Sequence, residues 1–203
     1  MPAGTSALRP RSLHAYIACV VFVIAFAART ARADATDDRR ALVMLRVLAY
    51  DKRLGERAGN EVRIVILYPD GDVGAAERLR WITAFAAARK LKLAGHAVVV
   101  TALKLDDRKA LDKALETLRP AALVVCDGLA AKLSASALAS ITRARGILSI
   151  TTREAEVGKG LAVGIVPGTQ RDEIVVNVRA ATAEGVKFDA GLLQLARTVE
   201  ERR

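Results

Sequence analysis

Residues 160–178 read GLAVGIVPGTQRDEIVVNV. Two apolar-rich runs, Leu161 to Val166 and Ile174 to Val178, flank a Pro167-Gly168 corner and the polar Thr169 to Glu173. That is the signal of a β-hairpin closed by a loop rather than by a tight two-residue turn. Downstream, Asp189 stands where it can cap a short helix whose Leu192, Leu193, Leu195, Ala196 and Val199 share one broad face. The spacing predicts a strand pair followed by a terminal amphipathic helix that docks back on a sheet.

Upstream, the pattern alternates. DRRALVMLRVLAYDKRL, from Asp38 to Leu54, sets Leu42, Leu45, Val47, Leu48 and Leu54 among charges at helical spacing, behind the cap candidates Thr36, Asp37 and Asp38. Glu61 to Tyr68 (EVRIVILY) is rich in β-branched residues and stops at Pro69-Asp70-Gly71, so it reads as a buried strand. A helix over Val73 to Leu93 follows, with Leu79, Trp81, Ile82, Phe85 and Ala86 inward and Gly95 ending it. Then come strand His96 to Leu103, helix Arg108 to Leu118, strand Ala122 to Cys126, helix Ser134 to Arg145 and strand Ile147 to Thr151. Strands alternating with helices of this length imply right-handed crossovers. The expected fold is α/β: a mainly parallel central sheet with helices on both faces, a C-terminal antiparallel hairpin and the docking helix.

The chain has 203 residues, enough for one domain with its own core. Its first 33 residues read as a signal peptide: Arg9, Arg11 and His14 precede the apolar run Ala15 to Ala28, and Ala31-Arg32-Ala33 offers small residues for cleavage between Ala33 and Asp34. The apolar run is shorter than the roughly 20 residues of a spanning helix. The expectation is therefore a periplasmic protein whose single domain covers residues 34–203. That segment keeps 28 Lys and Arg against 22 acids, a balance of +6, with both signs interleaved. Such a surface gives no footprint for nucleic acid. Cys19 falls in the leader and leaves Cys126 alone, which excludes an internal disulfide.

Motifs that could carry chemistry are incomplete. Asp70-Gly71-Asp72-Val73-Gly74 follows a strand and opens a helix, where backbone N–H groups can meet an anion. Its spacing matches neither the dinucleotide fingerprint nor the P-loop, and its two acids repel phosphate, so it reads as a turn and helix cap. Cys126-Asp127-Gly128 ends a strand, but a nucleophilic cysteine needs a base within reach, and His96 belongs at the opposite end of the sheet. One His and one Cys cannot build the usual zinc sites. Ser134, Ser136 and Ser140 lack a G-x-S-x-G elbow, and Asp106-Asp107 reads as a helix cap. Trp81 and Phe85 share a helix face and read as core. No cofactor, metal or catalytic set is expected. A small ligand, if one binds, belongs at the C-terminal strand ends near Asp70, Asp72, Asp127, Thr151 and Thr152.

The last quarter also carries a resemblance. Asn177-Val178-Arg179-Ala180-Ala181, then Gly185-Val186-Lys187-Phe188, then Leu192-Leu193-Gln194-Leu195-Ala196 resembles the closing signature of the YfiR-like family of small periplasmic proteins. Asp189 departs from it where a Ser is common, as does the lack of the disulfides many members carry. The resemblance implies a regulator that binds the sensor portion of an inner-membrane protein, a diguanylate cyclase or histidine kinase, and so restrains cyclic-di-GMP signalling and biofilm formation. A second copy of the chain is the other partner to consider, and a periplasmic solute-binding protein is the alternative function.

Overall fold

The structure is a computed structural model and describes residues 35–86 and 90–200. The fold is that of the unit from Asp37 onward. The leader and its cleavage point at Ala33 and Asp34 lie outside the described residues.

Five strands form the parallel body: β1 (Glu61–Tyr68), β3 (His96–Lys104), β4 (Ala122–Val125), β5 (Leu148–Thr151) and β6 (Val163–Val166). β2 is Lys92–Leu93, β7 is Glu173–Val176 and β8 is Arg197–Thr198. The sheet runs β2-β3-β1-β4-β5-β6-β7-β8. β4, β5 and β6 are buried at every position; β4 and β6 read as short continuous apolar runs, while β5 also buries Ser149 and Thr151. Helix α1 covers residues 35–49, followed by α2 (Leu54–Ala58) and α3 (Gly71–Ala84). Next are α4 (Arg108–Leu118), α5 (Ala135–Arg145) and α6 (Glu154–Val157). The last two are α7 (Val178–Ala183) and α8 (Ala190–Leu195). Because the chain steps from β1 to β3 on one side and to β4 and β5 on the other, right-handed crossovers put α3 on one face and α4 and α5 on the other.

The hairpin stands where the sequence puts it: β6 and β7 pair antiparallel from Val163↔Val176 to Val166↔Glu173. The terminal helix differs. α8 spans six residues, Ala196 turns extended, and the chain leaves along β8, parallel to β7. So short a helix turns one full face inward at Leu192 only, and Leu195 is 66% exposed. The first helix is also interrupted. Its chain breaks at Asp51, whose carboxylate accepts the backbone N–H groups of Arg53 and Lys187, each at 3.0 Å, and whose backbone bridges Phe188. Asp37, read as a cap, is instead buried against the Arg80 guanidinium, at 2.5 and 2.6 Å, and Leu42 faces out.

The long helix expected to Leu93 ends at Ala84, and Leu79 lies on its outer side. Ala94 and Gly95, with φ of 49° and 85°, form the two-residue turn that folds β2 back on β3. Trp81 and Phe85 are core, as their spacing implies, with ring centroids 6.1 Å apart. Asp107 and Ser134 cap α4 and α5 through the N–H groups of Ala110 and Ala137.

Candidate functional site

In the parallel body the connection direction reverses between β1 and β4, and open α/β sheets take ligands at the carboxyl ends of such strands. Here those ends are packed together. A Cβ built on Gly128 would stand 3.3 Å from the Pro69 ring and 3.9 Å from Val73, so the loop after β4 lies on the loop after β1. Gly74, in the first turn of α3, lies closer still to the loop after β1, since a Cβ there would meet the Pro69 carbonyl oxygen at 1.7 Å.

The five expected edge residues fall into two groups. Asp70 stands at the N-cap of α3 without a side-chain capping bond, 3.7 Å from Lys104, and Asp72 is exposed on the first turn. The Gly71 backbone and the Lys104 ammonium hold the Asp70 carboxyl below the usual range. Thr151 is buried, donates to Glu156 Oε2 and accepts the Arg153 N–H at 3.1 Å, with Thr152 half-buried beside it. Burial raises the Glu156 carboxyl, and the charge of Asp127 adds to the rise. The Asp127 Oδ1 is buried without a hydrogen-bond partner among the described residues. Glu156 was not singled out in the sequence, although it lies four residues after Thr152 in the acid-rich stretch Thr151-Thr-Arg-Glu-Ala-Glu. Cys126 is buried, and burial pushes its thiol up, away from the reactive thiolate.

The C-terminal signature residues do structural work. Asn177 is fully buried, accepts the Ala180 N–H at 2.9 Å as the cap of α7, and donates to the Val157 carbonyl at 3.3 Å. Gly185 (φ 76°) lets the chain turn out of α7, so that Lys187 and Phe188 reach Asp51. Leu192 is buried, Leu193 and Ala196 pack partly on the core, and Leu195 does not.

Two clamps invisible to local pattern secure this region. Arg57 faces Asp51 at 3.3 Å and donates to the carbonyls of Gly146 and Glu184, each at 3.2 Å, and of Ala121 at 2.7 Å. Glu184 is fully buried and accepts from Thr142 Oγ1 (2.5 Å), Ser149 Oγ (2.7 Å) and Ser149 N (2.8 Å). Burial pushes its carboxyl up to about 7.

A family model described as YfiR/HmsC-like matches residues 40–197, from the second turn of α1 to the first residue of β8. The chain belongs to the YfiR/HmsC-like family. Membership supports a regulatory protein of the periplasm, and the YfiR/HmsC-like signature is the part of the chain tied down by Asp51, Arg57 and Asn177. No curated protein matches this sequence. Among solved structures, the ligand-free, open form of a substrate-binding protein with adhesive properties from Clostridium difficile is similar. It has 15% identity and a TM-score of 0.52 over 74% of this chain and 58% of that one. An ABC domain in complex with L-Trp from Streptococcus pneumonia is similar at 14% identity and a TM-score of 0.50, over 75% and 60%. The chain spans about three fifths of the length of those structures. At such identity the likeness is one of fold. Among the described residues no helix is long and apolar enough to cross a membrane.

Proposed function

We propose that this YfiR/HmsC-like protein is exported by a leader ending at Ala33 and, as the single domain from Asp34, restrains an inner-membrane sensor enzyme by protein–protein contact. The enzyme proposed is a diguanylate cyclase. The observation that carries the proposal is the family match across residues 40–197. The packing of Pro69 against Gly128 supports it too, because a closed strand-end crevice leaves the outer surface as the working part.

One face suits such contact. A groove of about 570 Å³ runs between α1 and the β7–α8 edge, with Val43, Ile174 and the exposed Leu195 on its bed. Arg39, Arg46 and Arg171 stand along it, exposed and without an ion pair among the described residues. Apolar bed and cationic rim together complement an acidic, amphipathic face on the sensor. Restraint then needs only that the protein bind the inactive sensor better than the active one, about 1.4 kcal/mol for each tenfold shift.

The test is capture of membrane proteins on the tagged chain from Asp34 onward, with detergent-solubilised inner membranes as the source. A membrane diguanylate cyclase should be retained, and its product formation should fall as the protein is added. Capture of no sensor protein, together with a rise in melting temperature on adding a small solute, would replace this reading by solute binding.

A further inference from the structure

At the opposite edge of the sheet, where β4 and β5 begin, a cavity of about 790 Å³ opens among the C-terminal ends of α2, α4, α5 and α7. Four guanidinium side chains line it, from Arg53, Arg57, Arg119 and Arg145, against one acid, Glu116. Leu115, Pro120 and Ile147 supply apolar wall.

The bland account is that arginines gather here to satisfy helix carbonyls. It covers Arg57, whose N–H groups are spent on three backbone oxygens and whose charge is met by Asp51. It covers Arg145 in part, through Asp112 at 3.0 Å. It does not cover Arg119, which is exposed and makes no ion pair among the described residues. Arg119 is also the left-handed C-cap of α4, with φ 44° and ψ 57°. The neighbouring α5 meets the same requirement with Gly146, at φ 64° and ψ 38°, on the same cavity wall. Glycine is the residue that suits this conformation, so an arginine there carries backbone strain for the sake of its side chain. Among the described residues Arg53 is paired with Glu56, itself 70% exposed, a surface pair that an entering dianion can displace.

From this we infer that the cavity is a binding site for a small organic phosphate. Arg53 and Arg119 hold the phosphoryl oxygens at the mouth, Arg145 stands beside them, and the organic part lies on Leu115, Pro120 and Ile147. Guanidinium forks match phosphate oxygens in geometry and charge, and the volume lies in the range of small-molecule pockets. The inference is independent of the regulatory reading, because it is measured on the isolated protein and either can fail alone.

Calorimetric titration at physiological ionic strength, with phenyl phosphate and inorganic phosphate as probes, tests it. Phenyl phosphate should bind saturably, with a dissociation constant of about 1 mM or lower, and more tightly than inorganic phosphate. Arg53→Ala with Arg119→Ala should weaken it about tenfold or more. Arg78→Ala with Lys92→Ala, which removes equal charge from exposed positions outside both cavities, should leave it unchanged. Arg119→Gly gives the sharpest contrast: a higher melting temperature with weaker binding. Absence of saturable binding to the wild-type protein, or equal weakening in the Arg78/Lys92 control, would overturn the inference.

Discussion

Glu184 sits in the core, hydrogen-bonded to Thr142 and Ser149, with the Arg143 charge offsetting only a small part of its burial, and its substitution by glutamine gives a prediction of defined sign and size. Burial lifts its carboxyl from an ordinary value of 4.5 to about 7 in the folded chain. The hydrogen bonds are compatible with a neutral group. Oε2 faces the Ser149 N–H, which only donates, but Oε1 faces two hydroxyls that can reverse. Thr142 Oγ1 also reaches the Leu138 carbonyl at 3.2 Å and the Ala139 carbonyl at 3.1 Å, so it can donate there and accept from a proton on Oε1. Ser149 Oγ already accepts the Ala162 N–H at 2.8 Å. Between about pH 4.5 and about 7 the folded chain keeps this proton while the unfolded chain has lost it, so stability falls as pH rises through that window. Below the window both states are protonated and there is no penalty; above it the penalty is complete. At about 1.4 kcal/mol per unit, the shift amounts to about 3 kcal/mol. Glu184→Gln keeps the shape, places its amide nitrogen toward the hydroxyls and removes the titration. Urea unfolding at pH 5 and pH 8 should show the wild-type protein losing stability between them relative to the variant, and the variant should be the more stable at pH 8. Identical pH slopes, or a variant weaker than wild type at pH 8, would refute the reasoning.

Arg57→Met leaves Asp51 buried without its cation and frees three helix and strand carbonyls, so it should cost about 3–5 kcal/mol in urea unfolding; a loss below about 1 kcal/mol would show that water replaces the guanidinium. Gly74→Ala drives a Cβ into the Pro69 carbonyl and should lower stability by about 3 kcal/mol or more, read as a fall in melting temperature. Cys126 should react with a thiol reagent only as fast as the protein opens, because its thiol is both buried and raised; reaction at the rate of a free thiol without denaturant would contradict the packing of β4.

The alternation of strands and helices was legible because β1, β4 and β5 are buried on both faces and are rich in β-branched and other apolar residues. The hairpin was legible from Pro167-Gly168 and the polar loop. What escaped were features decided by few residues or by distant ones. β2 was absorbed into the preceding helix because Ala94, at φ 49°, is not a residue that announces a turn. The break at Asp51 is made by partners at Lys187 and Phe188, more than a hundred positions away. Of the candidate edge residues, Thr151 meets Glu156 in the structure, and nothing local in the sequence tied the two together. The family resemblance marked Asn177 and Gly185 without revealing that one caps α7 and the other releases the chain toward Asp51.

The two edges of the sheet differ for a physical reason. At the carboxyl ends Pro69 lies on Gly128, and α6 packs against β5 and β6 with Val157 buried. At the amino ends several helix C-termini converge, and each leaves carbonyls that need donors and favour positive charge. Arg57 answers that need, and once one guanidinium is fixed by three carbonyls and Asp51 the surrounding wall is rigid. A rigid wall that already concentrates cations requires only one further arginine, held outward at a strained helix end, to become a place where an anion can stay. Arg119 is the residue inferred for that role, exposed at the left-handed C-cap of α4.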